Sequence, residues 1–198
     1  SDVLVPRPDS ETLIEAALAL LAERGRPWRI LDLGLGTGCL LLALLRELPA
    51  AQGVGLEASP AALAIARHNA ASLGVADRAR LVLGDWRQAG WTESLGGPFD
   101  LAVANPPYIA SDAIAGLMPE VARFEPALAL DGGPDGLEAY RAIAAAMARL
   151  VVPGGLALIE AGIGQASDIS RIFGDAGGRP QAPWKDLAGI DRVVCLRY

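Results

Sequence analysis

This 198-residue chain is short of the side chains on which several kinds of chemistry depend. It holds one histidine and two cysteines, Cys39 and Cys195, with no spacing that would build a zinc site, so no metal is expected. Both cysteines lie in apolar segments and read as buried free thiols, which suits a reducing, cytoplasmic location. Lys185 is the only lysine, and no basic run offsets the formal charge of −6. A protein that grips a nucleic-acid backbone usually carries a basic face, so nucleic acid is not expected as the main partner. No apolar stretch approaches the ~18 residues of a membrane span, because glycine, proline or charge interrupts each one. No signal-peptide pattern opens the chain. Neither membrane insertion nor export is expected.

What the chain does hold is alanine, leucine and glycine, with 52% apolar residues and a mean hydropathy of +0.33. That is enough for one domain over residues 1–198 with a full core. Asp9 or Ser10 can cap a first helix running to about Arg24, with Gly25 as its stop. Short apolar strands are predicted at 29–33, 52–56, 79–83, 99–104, 156–160 and 192–196. Helices are predicted from Gly38 to about Leu48, from Pro60 to about Leu73, over 136–150 and near 165–173. Strands alternating with helices indicate an α/β fold with a doubly wound, mostly parallel sheet and helices on both faces. A long proline-bearing loop over 105–135 interrupts the pattern, and loops of that length usually have a functional reason.

That loop begins with Asn105-Pro106-Pro107-Tyr108. Two consecutive prolines cannot extend a sheet, since each lacks an N–H and has a fixed φ. An amide, the Pro106 carbonyl and an aromatic ring are thereby held just past a strand's carboxyl end, where open α/β sheets bind ligands. Side-chain and main-chain oxygens aimed at one point can hold an NH₂ group by both its hydrogens. A rigid strand terminator is the plainer reading of the same four residues.

Earlier in the chain, Asp32-Leu33-Gly34-Leu35-Gly36-Thr37-Gly38 follows a strand and opens a helix. A dinucleotide fingerprint would need its third glycine at Cys39, and no Walker lysine is present. The Gly-x-Gly-x-Gly spacing suits a ligand lying over the loop with no pyrophosphate at the helix end. Glu57 ends the second strand and can accept from both ribose hydroxyls of a nucleoside. Asp85 can accept from an adenine amino group, and Trp86 can pack on the purine face.

In this order these features resemble the class I S-adenosylmethionine-dependent methyltransferases, whose amino-methylating members carry Asn-Pro-Pro-aromatic after the fourth strand. The resemblance implies a seven-stranded sheet, S-adenosyl-L-methionine as cofactor with S-adenosyl-L-homocysteine as product, and cofactor contacts from residues 34–38, Glu57, Asp85, Trp86 and Asn105. It implies that Asn105, Pro106 and Tyr108 do the chemistry on a planar, delocalised nitrogen, with Pro107 beside them. Such a nitrogen is a poor nucleophile. Accepting its two N–H bonds and holding it in line with the methyl carbon are what an enzyme can contribute.

The leading Pro6-Arg7-Pro8-Asp9-Ser10-Glu11 is similar to the segment of bacterial release-factor glutamine methyltransferases (the PrmC/HemK family). So are Phe124-Glu125-Pro126, Gly132-Gly133-Pro134-Asp135-Gly136-Leu137, Tyr140-Arg141, Glu160 with Gly162 and Gln165, and Asp191-Arg192-Val193-Val194. The likeness runs over essentially the whole chain. It implies methylation of the glutamine side-chain amide (N5) in the Gly-Gly-Gln tripeptide of a peptide chain release factor, with Arg7 near the substrate. The family usually carries a helical N-terminal domain ahead of this segment, and this chain begins at the segment, as a catalytic fragment or as a naturally short protein. Glu57 stands where an aspartate is common, and Leu35 where a small or polar residue is common. Methylation of adenine or guanine amino groups, or of a ribosomal-protein glutamine, stays open, as does a non-catalytic cofactor-binding module.

Overall fold

The computed structural model describes residues 9–116 and 126–198. The Pro6-Arg7-Pro8 segment, and with it Arg7, lies outside the described residues, as do Phe124 and Glu125.

A central sheet is built from β1 (Arg29–Leu33), β2 (Gln52–Glu57), β3 (Ala79–Leu83), β4 (Phe99–Ala104), β5 (Val151–Glu160), β6 (Arg179–Pro180), β7 (Trp184–Lys185) and β8 (Asp191–Arg197). Its order is β3-β2-β1-β4-β5-β8, with the two-residue β6 and β7 both paired to β8. Those two pieces share one edge, so eight strands occupy seven positions. The first five are parallel and β8 runs antiparallel to β5. The helices are α1 (Asp9–Leu20), α2 (Cys39–Glu47), α3 (Pro60–Ser72), the one-turn α4 (Ala127–Leu130), α5 (Glu138–Leu150) and α6 (Ala166–Asp175).

Strand alternation sorts the core into two layers. Ile30, Leu101, Val103, Leu156 and Leu158 point to one face and meet Leu13 and Ala17 of α1, Leu41, Leu44 and Leu45 of α2, and Leu63 and Ala66 of α3. Leu31, Leu33, Ala102, Ala104, Ala157 and Ile159 point to the other and meet Tyr140, Ile143 and Met147 of α5 and Ile169 and Phe173 of α6. This is the expected doubly wound arrangement. Chain order reverses on either side of β1, which puts the crevice between the carboxyl ends of β1 and β4.

Several expectations shift. The first helix stops at Leu20, not near Arg24, because the Glu23 carbonyl accepts from the Arg26 N–H and from the Trp28 indole instead of continuing the helix. Ser10 lies inside α1, so its hydroxyl does not cap it. β5 begins at Val151, pairs there with Phe99, and returns to register at Leu156 after an irregularity at Pro153-Gly154-Gly155. The 105–135 segment carries a 3-10 turn at Ile114–Gly116 and the short α4, and an Ile109–Asp131 bridge folds it back on itself. Strands β6 and β7 were not expected, since two residues in a Pro- and Gly-bearing stretch show no alternation. Cys195 is buried, but Cys39 is only half-buried, because it starts α2 at the mouth of a cavity. Among the described residues no helix is long and apolar enough to cross a membrane.

Candidate active site

A cavity of about 750 Å³ opens at the carboxyl ends of β1, β2 and β4, within the usual range for small-molecule sites. The glycine loop forms one wall. The Gly34 and Leu35 N–H groups both donate to the Leu56 carbonyl, at 3.0 and 2.9 Å, pinning the loop against β2. Gly34 has φ +81°, and a Cβ there would stand 3.1 Å from the Trp86 ring, so loop and indole meet only because the side chain is absent. Leu35, beside it, is buried. Its side chain lies over Gly55, where a Cβ would come within 2.6 Å of a Leu35 methyl. The leucine is thus part of the core and not a bystander to a backbone contact.

Glu57 closes this end. Its two oxygens accept from the Gly36 and Ser59 N–H groups, at 2.8 and 2.7 Å, so it shapes the loop while each oxygen keeps acceptor capacity toward the cavity. Thr37 also lines the cavity, and its carbonyl accepts from the Asn69 amide of α3. Gly38 starts α2 with φ +83° and has no side chain to cap it; buried Asp32 serves instead, accepting from the Leu41 N–H at 3.3 Å. Burial pushes the Asp32 carboxyl up to about 7, and its Oδ1 has no partner among the described residues. Sequence reasoning placed Asp32 only as a motif member.

Asp85 and Trp86 reach the same cavity. The Asp85 carboxylate is taken up by Arg87, whose Nε and Nη2 approach at 3.0 and 2.6 Å, and this guanidinium holds it below the usual carboxylate range. The sequence did not signal that pairing, although an acid and an arginine two residues apart permit it.

At the far end stand Asn105 and Pro107, facing Ser111, Asp131 and Glu138. Asn105 Nδ2 donates to Ser10 Oγ at 3.3 Å, and Ser10 Oγ donates to Glu160 Oε2 at 2.8 Å. Ser10 and Glu160 are both buried. Period-two alternation along β4 and β5 could have predicted that Asn105 and Glu160 share a face. Pro106 is buried, and neither it nor Tyr108 lines the cavity. Tyr108 packs against the α5–α6 side of the core, its ring close over Gly162, and its carbonyl accepts from Gln165 Nε2 at 3.0 Å. The loop behind it is laced down: Ser111 Oγ and the Gly133 N–H both donate to Asp131 Oδ1. Asn105, residues 34–37, Glu57, Asp85 and Trp86 therefore share one cavity, whereas Tyr108 stands behind it. Among the described residues no three metal-ligating side chains cluster.

A mostly parallel sheet with a glycine loop after β1 and an acid ending β2 is a nucleotide-binding α/β arrangement, and the match of residues 30–124 to the family model described as "Methyltransferase domain" makes the class that of a methyltransferase. The chain is 49% identical over 197 residues to a release factor glutamine methyltransferase of Rhodospirillum rubrum, covering 100% of this chain and 58% of that protein. It is 48% identical to the one of Cereibacter sphaeroides, covering 99% of this chain and 67% of that protein. The solved structure of a release factor-specific protein-(glutamine-N5) methyltransferase from Alicyclobacillus acidocaldarius superposes with a TM-score of 0.58 at 27% identity, covering 99% of this chain and 95% of that one. The chain belongs to the release factor glutamine methyltransferase family. It spans about three-fifths to two-thirds of the length of these two curated relatives.

Proposed function

We propose that the protein transfers a methyl group from S-adenosyl-L-methionine to the side-chain amide nitrogen of the glutamine in a release factor's Gly-Gly-Gln tripeptide. The observation that carries this reading is the placement of the Asn105 amide on the wall of the cavity that the glycine loop and Glu57 close. The residues present fit the cofactor. Residues 34–37 and the Trp86 ring line the same cavity, and Glu57 keeps acceptor capacity for ribose hydroxyls. Residues 34–38, Glu57, Asp85 and Trp86 would hold it, and when bound it supplies an electrophilic methyl group.

The chain's own part is positional. Asn105 Oδ1 and the Pro106 carbonyl accept the two amide hydrogens, so the nitrogen's lone pair is turned away from conjugation and toward the methyl carbon. The same oxygens stabilise the positive charge that develops on nitrogen. Tyr108 steadies the loop that carries both from behind the cavity wall, its ring against the α5–α6 side of the core and its carbonyl held by Gln165 Nε2.

A protein loop suits the cavity better than a nucleic acid does. Among the described residues its charged lining comprises Glu57, Asp85, Asp131 and Glu138 against Arg87, and Arg87 is paired with Asp85. A polyanion would meet uncompensated carboxylates there. The reading places the protein in the reducing cytoplasm, in keeping with two free cysteines. The test is incubation with methyl-labelled S-adenosylmethionine and a release factor, intact or with the tripeptide glutamine changed to alanine. Label is expected in the intact factor alone; equal labelling of both would overturn the assignment, and labelled RNA or DNA would replace it.

A further inference from the structure

Asn105 and Glu160 each stand one residue past the paired Ala104 and Ile159, on neighbouring parallel strands. Alternation sends both to the face that carries Leu101, Val103, Leu156 and Leu158, where α1 packs. Ser10, one turn before Leu13 on the inward side of α1, drops its hydroxyl between them. Nothing in the local sequence of any one of these three elements announces the contact.

We propose that Glu160 and Ser10 are positioning residues that select which end of the Asn105 amide faces the substrate. The inference rests on the function proposed above and adds residues to it. Glu160 Oε2 is the acceptor in its contact with Ser10, and a serine hydroxyl has a single proton. That proton goes to Glu160 Oε2, at 2.8 Å. Ser10 Oγ is left with lone pairs alone for its other neighbour, so Asn105 must turn its NH₂ toward it, as seen at 3.3 Å. The amide is planar, and Oδ1 is therefore presented on the opposite side.

The selection matters because the substrate group is itself an NH₂. Were the Asn105 amide reversed, donor would face donor, and the clamp on the substrate nitrogen would lose one of its two acceptors. The relay is also anchored at its base. The Tyr140 hydroxyl donates to the Glu160 carbonyl at 2.9 Å, fixing the backbone from which the carboxylate projects.

Glu160→Gln keeps the shape but adds a donor, which lets Ser10 accept from residue 160 and donate to Asn105 Oδ1, reversing the amide. Ser10→Ala deletes the acceptor altogether. Ser10→Thr retains the hydroxyl. For Glu160→Gln and Ser10→Ala, kcat is expected to fall roughly ten- to a hundredfold, the worth of one charge-linked hydrogen bond, with KM and Kd for S-adenosylmethionine unchanged and Ser10→Thr restoring most of the rate. Unchanged kcat in both variants would overturn the proposal. So would a loss that Ser10→Thr shares together with a lowered melting temperature, since that is the pattern of a merely structural site.

A second readout needs no turnover. The Asn105 side-chain NH₂ resonances, assigned by their absence in Asn105→Ala, should shift in Ser10→Ala and in Glu160→Gln; constant resonances would overturn the relay. If the wild-type protein methylates no release factor, the proposed function fails and these resonances alone decide the relay.

Discussion

Glu57 reaches back across 21 residues to accept the Gly36 N–H at 2.8 Å, so the last side chain of β2 sets the shape of the loop that follows β1. The same carboxylate takes the Ser59 N–H at the start of α3. One acidic residue thus ties together two loops and still faces the cavity. Strand, glycine loop and next strand act as one unit because this group has more acceptor sites than the backbone uses.

Glu57→Gln leaves an amide with one accepting oxygen where the carboxylate serves two N–H groups. Affinity for S-adenosylmethionine is expected to weaken about ten- to a hundredfold, measured by calorimetry, since bonds to charged groups contribute about 1.5–3 kcal/mol. Unchanged affinity would show that the loop holds its shape without it.

Gly34→Ala meets two separate obstacles, a φ of +81° and the Trp86 ring at 3.1 Å. Thermal unfolding should show a loss of more than about 1 kcal/mol. Adding Trp86→Ala removes the contact but not the backbone strain, so recovery in the double variant is expected to be partial. Complete recovery would mean that the ring contact alone forbids a side chain there.

Asp32 gives the stability a pH dependence. The folded protein holds its proton far more tightly than the unfolded chain, whose carboxyl titrates near 3.8. The associated stabilisation is fully present below that value and is lost as pH rises through about 7. Asp32→Asn should flatten the decline seen in denaturant unfolding between about pH 4 and 7, with a difference of up to about 4 kcal/mol over that window. Parallel pH profiles for the two proteins would remove Asp32 as its source.

Asn105→Ala is expected to cut methyl transfer about 10²- to 10³-fold, the cost of losing one preorganised group at the reacting centre. Binding of S-adenosylmethionine should stay within threefold. A variant that retains full turnover would end the role assigned to this amide, and one that loses cofactor binding instead would move Asn105 to the other half of the cavity.

Local signals carried much of this molecule. The runs at 29–33, 79–83 and 99–104 match β1, β3 and β4 residue for residue, because each is apolar and bounded by glycine, proline or charge. Ser59-Pro60 opened α3 as expected, with Ser59 Oγ accepting the Ala62 N–H. Where the pattern ran short, prediction did too. The end of α1 depends on an indole eight residues on, and β6 and β7 form strands only because β8 lies beside them.

The sequence by itself determined the doubly wound fold, the glycine loop and the stiff Asn105-Pro106-Pro107 turn, since periodicity, φ restriction and missing N–H groups are properties of neighbouring residues. Only the tertiary structure decided which partners those groups keep. It set Arg87 against Asp85, Leu35 over Gly55, Tyr108 behind the cavity wall, and Ser10 between Asn105 and Glu160, positions 95 and 150 residues away from it. Hydrogen-bond partners at that separation follow from which strands lie side by side and which face of a helix packs across them, and no stretch of adjacent residues encodes that.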